Sequence, residues 1–465
     1  MDERLTSGDK GLDTILGGGL PINGINLIIG LPGSGKTMLS QQFVFAGATE
    51  ERPALYLSTV SEPFEKMLRY GQTLSFFDRK AIGRSVYYED LGGAVGGEGG
   101  LTAVIDRIGE LIKERRPGII AIDSFKALAA FAEDPQAFRR FLHDLAALLT
   151  AFPVTTFWIG EYSEEETRAA PEAAVADGII SLGTLRANER TQRLIQVTKL
   201  RGCEFRSGRH GYRLSSDGIT VFPRLADPLE EEGYELSEDR ISSGIPPLDT
   251  MLAEGYGPGS STLVAGPSGA GKTLMGLHFI FSGAASGEPG VIASLQENPI
   301  QLQRMAGGFG WSLDDERVAV MYRSPNDVYI DEWVYELLDL VEATGATRVL
   351  IDSLSDLHYA ATDPVRFREF IYSLTQRLSY AGISPIMTSE VPDLFHVGRL
   401  AEYGISHRSD NVILLQYLRA DSRLLRTVTV VKSRASAHDP EIREFEITPG
   451  GIVLGDPIGD EHVLG

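Results

Sequence analysis

Short apolar runs alternate with helix-period segments along the first half of the chain. The runs NLIIG (26–30), ALYLST (54–59), SVYYED (85–90), GIIAIDS (118–124) and VTTFWIG (154–160) suit buried parallel strands. Between them TMLSQQFVFAGA (37–48), LTAVIDRIGELIKE (101–114) and FRRFLHDLAALLTAF (138–152) read as amphipathic helices. Strand–helix alternation predicts an α/β fold with a mainly parallel sheet. Later, RLIQVTKL (193–200) and GYRLSSDGITVF (211–222) predict further strands, antiparallel to the rest. LGGAVGGEGG (91–100) offers little side chain to pack and reads as a mobile loop.

The pattern then repeats. The LDT-x-L core recurs, so that Asp13 and Asp249 are 236 residues apart, the same offset as Lys36 and Lys272. The aspartates of IAIDS and VLIDS, Asp123 and Asp352, are 229 apart, and Lys199 and Lys432 are 233 apart. Four signals in one order with little drift mean an internal duplication. The acidic stretch DPLEEEGYELSED lacks apolar periodicity. It divides the chain into a first domain at 1–226, a linker at 227–239 and a second domain at 240–465.

Each half carries the pattern G-x-x-x-x-G-K-T, as GLPGSGKT (30–37) and GPSGAGKT (266–273). A strand-like run precedes each loop and a helical segment follows it, the context such a phosphate cradle needs. Gly33, Ser34, Gly35, Lys36, Thr37 and Met38 form the first candidate nucleotide site. Gly269, Ala270, Gly271, Lys272, Thr273 and Leu274 form the second. The glycines admit close backbone approach, each lysine reaches the terminal phosphates, and Thr37 and Thr273 are hydroxyl ligands for Mg²⁺. Asp123 and Asp352, closing apolar strands, complete the expected metal sites.

Hydrolysis also needs a group to deprotonate or orient water. Glu62, 26 residues after Lys36, and Glu297, 25 after Lys272, are each expected at the end of the strand that follows the loop helix. Glu161 and Glu390, at the ends of VTTFWIG and PIMTS, are candidate sensors of the terminal phosphate.

Composition narrows the partners. The 465 residues are 43% hydrophobic and 23% charged, with a formal net charge of -21. That charge disfavours a broad grip on nucleic acid. Cys203 is the sole cysteine, the start MDERLTSGDK lacks an apolar signal core, and no apolar run reaches membrane-spanning length. A cytoplasmic protein is expected.

Together these motifs resemble the KaiC family within the RecA-like ATPases. The resemblance covers nearly the whole chain, including LDTILGGGLP, KLRG, SDNVILLQY and RTVTVVKSRASAHDPEIREF. It implies two tandem RecA-like P-loop domains, ATP and Mg²⁺ as cofactors, and an ATP-dependent homohexamer whose domains form two stacked rings of six. It also implies that Lys199-Leu200-Arg201 and Lys432-Ser433-Arg434 approach a neighbouring subunit's nucleotide, that Arg426 faces phosphate, and that signalling or clock proteins are partners. The sequence departs from the clock members in three places. Val60-Ser61 stands where they carry paired glutamates, with Glu62 displaced by one, and Gln296 replaces the first carboxylate of the second pair. Ser406 matches a family phosphosite, but His407 stands at its threonine neighbour. The sequence ends with GDPIGDEHVLG, so partners that recognise the clock members' long tail are not expected. The readings in play are a slow ATP-driven timing or signalling switch with weak serine autokinase activity, a recombinase- or helicase-type DNA motor, and a non-hydrolysing scaffold assembled by ATP.

Overall fold

The computed structural model describes residues 3–59, 64–97, 99–187, 190–225, 239–326, 328–361, 363–391, 407–420, 423–434 and 437–458. Two compact units, Met1–Arg224 and Leu225–Gly465, divide the chain. The linker expected at 227–239 lies outside the described residues up to 238.

Each unit is built on a nine-stranded sheet. In the first the strands are β1 (Ile25–Gly30), β2 (Ala54–Ser58), β3 (Val86–Asp90), β4 (Ile119–Asp123), β5 (Thr155–Gly160), β6 (Gly178–Ala187), β7 (Arg190–Leu200), β8 (His210–Ser215) and β9 (Gly218–Phe222). In the second they are β10 (Thr262–Gly266), β11 (Gly290–Ser294), β12 (Val318–Tyr322), β13 (Arg348–Asp352), β14 (Ser384–Glu390), β15 (Asn411–Ala420), β16 (Arg423–Ser433), β17 (Arg443–Thr448) and β18 (Gly451–Pro457). The first sheet runs β9-β8-β7-β6-β1-β5-β4-β2-β3, and the second repeats that order with every strand advanced by nine. The six strands from β6 to β3 pair in parallel, and β7, β8 and β9 extend the sheet antiparallel. These are two tandem RecA-like α/β domains, the type the family resemblance implies, with the parallel strands that the alternation predicts and the antiparallel ones that the late strand-like runs predict.

Parallel strands covered on both faces need apolar residues at every position, not alternate ones. All six residues of β1 and all five of β2 are buried accordingly. One face of the first sheet packs Ile28, Tyr56 and Phe157 against Leu39 and Phe43 of the helix Lys36–Gly47. The other packs Leu27, Ile120 and Trp158 against the helices Gly100–Arg115 and Pro135–Thr150. On that side Phe125 stacks on Trp158 with ring centroids 4.2 Å apart.

Two expectations are corrected. The helix Lys36–Gly47 is not simply amphipathic: Gln41, Gln42, Phe43 and Val44 are consecutive and all buried. Strands β8 and β9 cover the side that would otherwise face water, and Gln42 bonds there in both directions with Ile219. The glycine-rich 91–100 stretch is not simply a loop. A short helix, Gly92–Val95, follows Asp90, whose carboxylate accepts the Gly92 N–H, and Leu91 and Val95 are buried in the core.

Candidate nucleotide sites

Both phosphate loops leave the carboxyl end of a central strand, β1 or β10, and run into a helix that starts at the loop lysine. Ligands of open α/β sheets bind at that end, where strand order reverses. Gly33, Gly35, Gly269 and Gly271 have φ of 76°, 94°, 74° and 105°, which disfavours any side chain there. A Cβ at Gly33 would meet nothing within 4 Å, so the loop keeps an open face. In the first unit this face opens on a cavity of about 930 Å³ lined by Lys36, Thr37, Asp123, Lys126, Glu161 and Met67, among others.

Thr37 donates its hydroxyl to Asp123 Oδ2 at 2.7 Å, and Thr273 donates to Asp352 Oδ2 at 2.8 Å. The strand ends therefore deliver each aspartate to the first turn of its loop helix, across about 80 residues of sequence. The peptide bond after each aspartate is cis. The remaining partners differ. Tyr56 donates to Asp123 at 2.9 Å and is 3.0 Å from Ser40, while Thr388 donates to Asp352. Burial raises the Asp352 pKa, against the Thr388 and Thr273 bonds and the Lys272 charge. A hydroxyl beside a carboxylate at a helix N-terminus is a hard-oxygen donor set that suits Mg²⁺.

The loop lysines fold back the same way, Lys36 Nζ donating to Leu31 O at 3.0 Å and Lys272 Nζ to Pro267 O at 2.9 Å. Burial lowers the pKa of both. Glu161 and Asp123 counter this at Lys36, and Glu390 and Asp352 do so at Lys272. Glu161 Oε1 stands 3.8 Å from Lys36 Nζ.

Glu62 lies outside the described residues, and so does Ser406. Glu297 does not end a strand. β11 stops at Ser294, whose hydroxyl accepts the Glu297 N–H at 3.2 Å and donates to Glu297 O at 2.8 Å. Gln296 and Glu297 thus sit in a bend, Gln296 exposed and Glu297 half-buried, so strand alternation does not assign their faces.

Lys199 and Arg201 turn to their own chain. Lys199 Nζ donates to the carbonyls of Ala173 at 3.1 Å and Ala174 at 3.4 Å, and Arg201 pairs with Asp177 at 3.4 Å. Neither lines the cavity at the first loop. The second unit repeats this: Lys432 donates to Ser409 O at 2.6 Å, and Arg434 donates to His407 O at 2.7 Å. Arg426 is different, because its Nε donates to Gly269 O at 3.4 Å on its own loop. The 233-residue offset gives it a counterpart in Arg193, which pattern reading passed over. Lys126 was also missed, because the Asp-Ser-Phe-Lys stretch has no lysine in the second repeat.

A model of the family described as "ATPase: KaiC" matches residues 5–226 and again 241–458. The chain belongs to the KaiC family of ATPases. The circadian clock protein KaiC3 of Synechocystis is 31% identical over 469 residues, covering 98% of this chain and 92% of its own. The circadian clock oscillator protein KaiC of Rippkaea orientalis is 29% identical, covering 96% and 88%. That of Synechococcus elongatus is 28% identical with the same coverage. Among the described residues, no helix of this KaiC-family chain is long and apolar enough to cross a membrane.

Proposed function

We propose that both loops bind Mg-ATP, that the first half carries most of the hydrolysis, and that the chain works as a slow timing or signalling switch. The observation that carries this reading is the Thr–Asp contact beside the loop lysine, made twice with the same geometry. Thr37 with Asp123 and Thr273 with Asp352 hold the metal. Lys36 and Lys272 neutralise the terminal phosphates, and the glycine-loop N–H groups cradle them. Bound Mg²⁺ supplies positive charge where the transferred phosphoryl group gathers negative charge. Glu62 is the proposed water-activating base of the first site. In the second, Glu297 is the remaining carboxylate, because the amide of Gln296 orients water but takes no proton.

Assembly into a six-membered ring and a cytoplasmic location belong to the same reading. So do signalling or clock protein partners and a weak serine autokinase acting on Ser406. The exposed amide of Gln296 favours one refinement, that the second site mainly binds ATP and holds the ring together. Phosphate release by the full chain and by Lys36→Ala and Lys272→Ala separately tests the reading. Loss of most turnover in Lys36→Ala alone supports it. Equal turnover in all three proteins overturns it.

A further inference from the structure

Lys126 is held by three groups at once. Its ammonium donates to Glu161 O at 2.6 Å and to Glu166 Oε1 at 2.9 Å, and it lies 4.7 Å from the centre of the Tyr162 ring. The Glu161 carboxylate faces the other way, 3.8 Å from Lys36. Glu166 also closes the capping box of the helix Glu164–Ala169, accepting the Ser163 N–H while Ser163 Oγ accepts its own. Those bonds hold the Glu166 carboxyl down at about 2. A chain of contacts therefore runs from the loop lysine to the Glu161 carboxylate, and from the Glu161 carbonyl through Lys126 to this helix.

The second repeat is an internal control. Three residues after Asp352 stands Ser355, where Lys126 follows Asp123 by three. Ser355 Oγ accepts the Glu390 N–H at 2.9 Å, so the polarity is reversed and a neutral hydroxyl stands where the first half has an ammonium. The strand end is still pinned, but its glutamate has no second positive partner at this position.

We propose that Lys126 is a positioning residue of the first site that links the Glu161–Lys36 pair to the helix Glu164–Ala169, and that the second site lacks this link. The proposal rests on the reading of the first loop as an ATP site. Phosphate charge brought to Lys36 repels Glu161, and Lys126, already bonded to the Glu161 carbonyl, is a cation on the same residue that its carboxylate can turn to. Lys126 is then shared between two carboxylates, its hold on Glu166 weakens, and the capping box loosens.

The test uses the full chain carrying Lys272→Ala, so that turnover reports the first site. Lys126→Ser should lower kcat about 10- to 100-fold, the scale set by misplacing a reacting group. The dissociation constant for a fluorescent ATP analogue should stay within about 3-fold, as expected when only positioning is lost. Lys126→Arg should recover most of the rate. Hydrogen exchange in 164–169 should rise on adding Mg-ATP to the parent and should not respond in Lys126→Ser. If Lys126→Ser fails to fold, Glu166→Gln is judged by the same exchange readout. An unchanged kcat, a parallel loss of affinity, or a nucleotide response that survives the substitution overturns the proposal. A parent that binds nucleotide without releasing phosphate refutes the hydrolysis reading alone, and exchange still judges Lys126. A parent that binds no nucleotide refutes both.

Discussion

Thr37 and Asp123 are hydrogen-bonded at 2.7 Å although 86 residues separate them. The contact exists because β4 lies two strands from β1, so its end faces the first turn of the loop helix. Asp123→Asn keeps an acceptor for the Thr37 and Tyr56 hydroxyls but removes the charge that would hold a divalent cation. Mg-dependent phosphate release in the Lys272→Ala background should fall about 100-fold or more, the scale of a lost metal or preorganised electrostatic contact. The thermal midpoint should move little. Undiminished turnover at saturating Mg²⁺ would remove Asp123 from the metal site.

Glu62 is the proposed base of the first half, and Gln296 stands beside Glu297 in the second. Glu62→Gln should slow hydrolysis about 100-fold, a typical general-base contribution, with nucleotide affinity retained. Single-turnover phosphate release separates that outcome from loss of binding. A native rate would show that another group activates the water.

Assembly gives an independent check. Lys199, Arg201, Lys432 and Arg434 are tied to carbonyls and aspartates of their own unit, and Lys199 and Arg201 do not line the cavity of the first loop. If they complete a neighbour's site, ATP stabilises the ring by linkage and its removal loosens it. Light scattering should report a hexamer with Mg-ATP and smaller species without it, and Lys199→Ala with Arg201→Ala should weaken the ring. A monomer at saturating Mg-ATP would sink this prediction.

On the family resemblance, His407 stands at the second acceptor position and Gln296 at a carboxylate position. Prolonged incubation with ATP should therefore place little phosphate on the chain, confined to Ser406 and absent from Ser406→Ala. Mass spectrometry that finds abundant phosphate on two neighbouring residues would contradict it.

Much of this architecture is legible in the sequence because two periodicities and one duplication agree. The run IIAID demands a strand buried on both faces, and GSGKT demands a strand before it and a helix after it. What stays hidden depends on long-range packing. Nothing near Gln42 says that β9 will cover its helix and bury an amide. Nothing near Gly92 says that an Asp90 carboxylate will cap a helix made largely of glycine and alanine. The Ser294 side chain ends β11 three residues before the candidate carboxylate, a local hydrogen bond that competes with the strand. Lys126 is invisible to motif reading because its role depends on Glu161 and Glu166, 35 and 40 residues away.

The same joint is built differently in the two halves, and the difference makes a pH prediction. Gln42 accepts the Ile219 N–H at 2.8 Å and donates to Ile219 O at 3.2 Å. At the matching position in the second half, His278 Nε2 accepts the Ile452 N–H at 3.0 Å and packs edge-on against Trp311 at 4.7 Å. An accepting Nε2 carries no proton, so the ring is neutral in this arrangement. Burial lowers the His278 pKa, and a backbone bond with Gly244 opposes it only partly. The sign follows from proton uptake. As pH falls below about 6.5, the ordinary histidine value, the unfolded chain binds a proton that the folded chain refuses. Stability of the second half is therefore lost as pH drops from about 6.5 toward the lower folded value. The slope from one proton is at most about 1.4 kcal/mol per pH unit. His278→Gln should flatten that slope while leaving the Gln42 joint untouched. Urea unfolding at pH 7.5 and 5.5, followed by Trp311 fluorescence in a chain with Trp158→Phe and Trp333→Phe, measures it. An equal pH dependence in His278→Gln and its parent would show that other groups set the acid response.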